Sequence, residues 1–260
     1  MTVTTTNWQH SPSHIRTRTF AVGDVHGCAG ALKRLLQVVN TTTDPFELIF
    51  LGDLIDRGPH NLAVLDQVWN WRHDLGTKTI LPGNHELMML LALQRPLSFM
   101  PWWTDNGGET VLRELNMNTS SVHAQAEQLQ AVLATKLLDI IDAPTAVIRD
   151  GYLFVHGGVP VNTCVQDVPL MDWHDMSCQN PEQEHPLWMR DAFLMNTQHR
   201  KAGVMVVHGH TPTARRIPEL HTNRINVDGG SCFGGNLCMA ELMADQVRFH
   251  VVPGATPYYG

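Results

Sequence analysis

Oxygen and imidazole donors recur three times in the first third of this chain. They sit in the strings Gly23-Asp24-Val25-His26-Gly27, Gly52-Asp53-Leu54-Ile55-Asp56-Arg57-Gly58 and Gly83-Asn84-His85-Glu86. Each string follows an apolar, strand-like run: Thr19–Val22, Leu48–Leu51 and Thr79–Pro82. Carboxylate, imidazole and amide donors without a thiolate suit Mn²⁺, Fe or Zn²⁺ better than Ca²⁺ or Cu. Arg57, inside the second string, adds a planar fork that matches phosphate. Two later strands end the same way. His156 closes Tyr152–Val155, and His208 and His210 close Val204–Val207. These last two lie two apart, so strand alternation does not choose between them. Asp and Asn at strand–helix junctions also serve as caps. Capping, however, does not call for His26, His85 and Arg57 in the same register.

The elements that must position these residues follow a repeated strand–loop–helix pattern, the signature of an α/β fold with ligands beyond the carboxyl ends of strands. Apolar residues at Leu32, Leu35, Leu36 and Val39 predict a helix after the first string, and Leu62, Leu65, Val68 and Trp69 predict one after the second. His85 to Gln94 reads as a buried helix, with Met88 and Met89 as core. Trp102 to Gly108 is turn-rich and aromatic, open to both packing and substrate contact, and precedes helical stretches over Glu109–Leu115 and Ala124–Ile141. Strands resume at Ala146–Ile148, with a hairpin at Asp150-Gly151, and two separate strands are predicted near Leu237–Met243 and Val247–Val252. Residues 160–200, which include His174 and Asp175, read as a long loop region. Residues 1–15, rich in Thr, Ser and His, read as a flexible tail before a single domain over 16–260.

Composition narrows the function. The formal net charge is −7 with no basic block, which disfavours a nucleic-acid scaffold. No apolar run reaches the ~18 residues that would cross a bilayer, and the first residues lack the basic and apolar regions of a signal peptide. The expectation is a cytoplasmic protein with no membrane partner. Its five cysteines are odd in number and include no C-x-x-C, which speaks against a disulfide framework or a zinc ribbon. Nothing in the sequence bears on oligomeric state.

The ordered set GDVHG, GDLIDRG, GNHE, HGG and GHT, spread over residues 23–211, resembles the phosphoprotein phosphatase branch of the calcineurin-like metallophosphoesterases. The resemblance is strongest to its small bacterial and phage serine/threonine phosphatases. It implies a two-sheet β-sandwich flanked by helices, and two divalent metal ions, Mn²⁺ first, with Fe or Zn²⁺ also compatible. It further implies that Asp24 and His26 hold the first metal, that Asp53 bridges, and that Asn84, His156 and His210 hold the second. His210 is preferred because the ligand follows Gly in Gly-His-Thr. His85 matches the general acid and Asp56 the carboxylate that keeps it oriented and charged. Arg57, Arg190 and Asn84 match phosphate-binding positions. Two such cations activate a water and hold phosphoryl oxygens for in-line attack.

The expected substrate is a phosphorylated protein or peptide, on serine or threonine, with dual specificity that includes tyrosine left open. The alternative is a symmetrical dinucleoside-tetraphosphate hydrolase. Those hydrolases usually lack the second Asp of G-D-x-x-D-R-G and end the third motif in Asp, whereas this chain has Asp56 and Glu86. Val227-Asp228-Gly229-Gly230 pulls the other way, since it resembles a D-T-G segment common in the hydrolases, here with Gly229 for Thr. Asp228 itself reads as a turn residue. A more remote alternative is an inactive scaffold that binds phosphorylated partners.

Overall fold

A computed structural model describes residues 2–117, 119–195 and 203–255. The first half lays down β2 (Gln9–Val22), α1 (Ala29–Val39), β3 (Phe46–Phe50), α2 (Asn61–Asn70), β4 (Gly76–Ile80) and α3 (Asn84–Gln94). Strands β2, β3 and β4 run parallel, as strands joined by crossover helices must. A short β1 (Thr4–Thr5) and the long β11 (Asn236–Pro253) complete the sheet in the order β1-β11-β2-β3-β4, with β10 (Asp228–Gly229) also paired to β11. The second sheet has the order β5-β6-β7-β9-β8, from β5 (Ala146–Arg149), β6 (Tyr152–Val155), β7 (Met205–His208), β8 (Glu219–Leu220) and β9 (Arg224–Asn226). Within it β6, β7 and β9 are parallel. The chain is therefore an α/β two-sheet sandwich with helices.

Strand alternation builds the layers. Ala21, Ile49 and Leu51 point between the sheets and meet Tyr152, Phe154, Val207 and Ile225 in one buried cluster. Their neighbours Phe20, Val22, Leu48 and Phe50 point outward and pack against α1, α2 and α3. Strand β3 is buried along its whole length, as expected for a central parallel strand covered on both faces. On the far side of the second sheet, Leu153, Val155 and Val206 pack with Val165, Val168, Met189 and Phe193. A charged clasp ties the second sheet's edge strand β5 to β3 of the first sheet. Arg149 pairs with Glu47 through Nε (2.7 Å) and Nη2 (2.9 Å), and Thr79 donates to the same carboxylate at 2.7 Å.

Three expectations change. The tail expected over residues 1–15, of which 2–15 are described, is not loose. Thr4 and Thr5 pair with Val251 and His250, and β2 begins at Gln9. The polar residues earn this order through specific bonds. Ser11 meets the Tyr152 hydroxyl at 2.6 Å, Ser13 donates to the Gly151 carbonyl at 2.7 Å, and Ile15 is buried between the sheets. The two predicted terminal strands are one, β11. It stays continuous because register shifts on either side of Ala244, which has φ 54°, absorb the bend. The Trp-rich stretch is helical, with α4 (Pro96–Trp103) running through a π-helical turn at Thr104–Gly108 into α5 (Glu109–Glu114). The helical stretch α6 (Val122–Ile141) has Ser121 as N-cap and is kinked at Ala134, whose backbone is not helical (φ 22°, ψ −96°).

Candidate active site

Every string singled out in the sequence ends at one rim. Asp24 and His26 follow β2, Asp53 follows β3, Asn84 and His85 open α3 after β4, His156 follows β6, and His210 follows β7. Five of the residues there hold positive φ without being glycine: His26 (43°), Asp53 (50°), Asp56 (73°), Arg57 (66°) and His210 (66°). Such backbone costs on the order of 1–3 kcal/mol per residue and clusters where side-chain aim matters more than local comfort. Gly107 is required on steric grounds too. It has φ 115°, and a Cβ there would strike the Arg57 side chain.

Asp53 is the hub. Its Oδ2 lies 3.4 Å from His26 Nε2 and 3.4 Å from His156 Nε2, while its Oδ1 accepts the His85 backbone N–H at 3.0 Å. Both flanking imidazoles are fixed from behind: His26 Nδ1 bonds the Ile55 carbonyl at 2.7 Å, and His156 Nδ1 bonds the Leu51 carbonyl at 2.8 Å. A carbonyl accepts, so each Nδ1 carries a proton, and in the neutral ring, the form that can ligate a metal, each Nε2 presents its lone pair inward. Asn84 Oδ1 stands 3.1 Å from His156 Nε2. The buried His85 and His210 Nε2 atoms have no protein partner. Two donor groups result, His26–Asp53–His85 and Asp53–His156–His210, each compact enough to hold one metal ion and sharing Asp53. Mixed imidazole–carboxylate sets of this kind suit Mn²⁺, Fe or Zn²⁺.

Asp24 lies just behind this set. Its two carboxylate oxygens accept the His210 N–H at 3.0 and 3.1 Å, and Ser231 donates its hydroxyl to the Asp24 and Val25 carbonyls at 2.7 and 3.0 Å. Burial raises the Asp24 carboxyl well above its usual range, with the Asp228 carboxylate adding to the effect. Asp228 is itself buried and accepts the Gly230 N–H at 2.8 Å, as its turn reading required. His208 is buried away from Asp53, against Phe193 and with Nδ1 near the Gly209 carbonyl.

The charges at the hub are mutually set. Burial pushes the Asp53 carboxyl up, but His156, His85 and His26 together hold it well below the usual carboxylate range. Burial also disfavours charge on His156, yet Asp53 and Asp24 carry it up to about 9. His26 falls to about 4, because burial outweighs Asp53 and Arg57 adds repulsion.

Asp56 and His85 form a second layer. His85 Nδ1 and Trp103 Nε1 reach the same Asp56 oxygen, at 2.7 and 2.8 Å. Two N–H donors on one oxygen mark Asp56 as the acceptor, and leave His85 Nε2 facing the donor group it shares with Asp53. Burial lowers the basicity of His85 well below the ordinary imidazole range; Asp53 favours a proton there, and His26 and Arg57 repel it. Arg57 Nη1 lies 3.0 Å from His26 Nε2, and its guanidinium sits 5.2 Å over the Phe233 ring. Arg190 is half-buried, 3.7 Å from Glu182, and close enough to lower the basicity of His210.

Glu86, read from sequence only as the end of the third string, and Trp103, read as packing or substrate contact, prove central. Glu86 accepts three backbone N–H groups, from Gly83 (2.8 Å), Asp53 (2.8 Å) and Leu54 (2.9 Å). It thereby ties the second and third strings together. Burial, reinforced by Asp53, raises its carboxyl to about 7 against those donors. Trp103, fully buried, supplies the second donor to Asp56. The sequence marks Glu86 as the end of the third string, but not as the acceptor that joins it to the second. No local signal marks Trp103, whose partner is 47 positions away.

A mixed imidazole–carboxylate metal site at one rim of an α/β sandwich, with a guanidinium beside it, defines a metal-dependent phosphoesterase. The chain belongs to the calcineurin-like phosphoesterase family, which it matches over residues 17–252, and it is a hydrolase of that family. It is 30% identical over 239 residues to serine/threonine-protein phosphatase 1 of Salmonella typhimurium, covering 91% of this chain and 93% of the relative. It is 31% identical over 173 residues to a symmetrical bis(5'-nucleosyl)-tetraphosphatase of a Janthinobacterium species, covering 63% of this chain and 52% of the relative. A cold-active protein-tyrosine phosphatase from a Shewanella species shares the fold, with a TM-score of 0.55 at 18% identity over 87% of this chain and 77% of that one.

Proposed function

We propose that this chain is a protein phosphatase that hydrolyses phosphoserine and phosphothreonine, with phosphotyrosine as a secondary substrate, using two divalent metal ions. The observation that carries the reading is the Asp56–His85 bond of 2.7 Å, which aims an unpartnered Nε2 at the donor group containing Asp53. His26 and Asp53, with Asp24 behind them, would hold one ion. Asp53, Asn84, His156 and His210 would hold the other, with Mn²⁺ as the native metal and Fe or Zn²⁺ compatible with the same donors. When bound, such a pair makes a water acidic enough to attack phosphorus and neutralises phosphoryl oxygens. The protein does the rest. Arg57 and Arg190 grip the phosphate, joined by the Asn84 amide. His85, when protonated, would give its Nε2 proton to the leaving oxygen, and Asp56 and Trp103 would hold the ring and its Nδ1–H tautomer in place.

The near full-length similarity to a serine/threonine phosphatase supports a protein substrate. The five cysteines are all unpaired, which fits a reducing cytoplasm, and among the described residues no helix is long and apolar enough to cross a membrane. A second reading, hydrolysis of a symmetrical dinucleoside tetraphosphate, is favoured by the similarity to such an enzyme over 63% of the chain. Metal analysis of the purified protein, followed by phosphate release from a phosphoserine peptide with added Mn²⁺, tests the proposal. It expects about two metal equivalents and steady turnover. A protein that binds no metal, or turns over no phosphopeptide with any divalent ion, contradicts it.

A further inference from the structure

Beside the metal donors lies a cavity of about 610 Å³ lined by Arg57, Thr104, Asp105, Asn106, Gly107, Glu109 and Phe233. It is built onto the phosphate-binding string. The Gly107 carbonyl accepts the Arg57 backbone N–H at 3.0 Å, and Trp103, one residue before the wall begins, bonds Asp56. The floor is Phe233, 47% exposed and lying under the Arg57 guanidinium. The rim carries Asp105 and Glu109, both exposed. With Arg57 turned to a phosphate, the lining has no other cation, so two carboxylates and an aromatic face remain for whatever flanks the phosphate.

We propose that this cavity is the subsite for the residue next to the phosphorylated one, and that Asp105 and Glu109 select a lysine or arginine there. The inference rests on the protein-phosphatase reading and deepens it. A cation at the rim gains both carboxylates and, once Arg57 is drawn onto the phosphate, the Phe233 face that Arg57 otherwise covers. A tetraphosphate chain lying in the same place would bring further negative charge against those carboxylates, so the cavity also discriminates against dinucleoside polyphosphates.

The test uses the full chain with Mn²⁺ and three phosphoserine peptides that differ only in the flanking residues: Arg, Ala or Glu. Each kcat/KM is divided by the same protein's value for p-nitrophenyl phosphate, which has no flanking residue. The expected ratio of Arg to Glu peptide is about five- to tenfold, carried by KM and shrinking as salt rises. The double variant Asp105→Asn/Glu109→Gln brings the ratio close to one, and Asp105→Lys/Glu109→Lys reverses it. Peptides turned over without flanking preference, or a preference that survives both double variants, overturn the subsite while leaving the phosphatase reading intact. Turnover of diadenosine tetraphosphate with no turnover of any peptide overturns the phosphatase reading, and the subsite with it.

Discussion

Trp103 donates its indole N–H, at 2.8 Å, to the Asp56 oxygen that also holds His85. Asp56 is raised by burial and held down by this same N–H. Replacing Trp103 with Phe keeps most of the ring and removes the donor. The Asp56 carboxyl then rises further and takes up its proton at higher pH. The expected result is a kcat reduced about tenfold, with the acid limb of the kcat profile displaced to higher pH. A variant with a lower kcat but an unmoved acid limb would mean that Trp103 only fills space.

His85→Asn should lower kcat by about 10²- to 10⁴-fold, the usual range for a lost proton-transfer group. Metal content, measured by elemental analysis, should stay within reach of the unaltered protein's value. Asp56→Asn should fall in the same range: its amide oxygen can still accept both N–H donors, but it carries no charge to favour a proton on His85. Loss of metal in the His85 variant would move His85 from proton transfer to metal binding.

Glu86→Gln replaces an acceptor of three buried N–H groups with a side chain that is half donor. One amide hydrogen must then face a backbone N–H, a mismatch of about 1–3 kcal/mol. Urea unfolding should show a lowered midpoint with an unchanged slope. Because Glu86 joins the loops carrying Asp53 and Asn84, metal affinity should fall as well. An unchanged midpoint would show that the two loops are tied elsewhere.

His185 gives the protein an acid sensitivity unrelated to catalysis. Its Nε2 lies 3.1 Å from the Trp173 carbonyl, and its Nδ1 accepts the Leu187 N–H at 3.2 Å, so both nitrogens are satisfied only in the neutral ring. Burial lowers its pKa from 6.5 to about 4. The unfolded chain therefore takes up this proton at higher pH than the folded one. The stability that neutral His185 contributes is complete above pH 6.5 and is lost as pH falls toward 4. The full loss is about 3 kcal/mol at 1.36 kcal/mol per unit. Unfolding free energies at pH 7 and pH 5 should differ less in His185→Gln than in the unaltered chain. Equal differences would contradict this.

Chelation should abolish hydrolysis and lower Tm, and Mn²⁺ at about 100 times Kd should add roughly 2.7 kcal/mol to the metal-free protein. For a domain of this size that is about 5–10 °C, read by differential scanning fluorimetry. His210→Ala should shrink the shift while keeping the fold, since its Nε2 has no other partner.

Where the strands end and which donors they carry could be read from sequence, because apolar runs followed by Asp, His and Asn mark strand ends directly. Asp24, His26, Asp53, Asn84, His85, His156 and His210 do converge on one rim. Their division into two groups sharing Asp53 is implied by the family resemblance and not by spacing, because it depends on Asp53 Oδ2 standing between His26 and His156, which come from different sheets. The N-terminal strand was missed because its polar residues are ordered by distant partners, Ser11 by Tyr152 and Arg16 by Asp150. The continuity of β11 was missed because Ala244 and Asp245 look like a turn, while the chain passes through them as a bulge.

The most direct test of the central proposal is a side-by-side measurement of kcat/KM, with Mn²⁺, for a phosphoserine peptide and for diadenosine tetraphosphate. A protein phosphatase with acidic residues beside its phosphate site predicts a peptide value at least tenfold higher. A value higher for the dinucleotide would contradict it and assign this site to nucleotide hydrolysis.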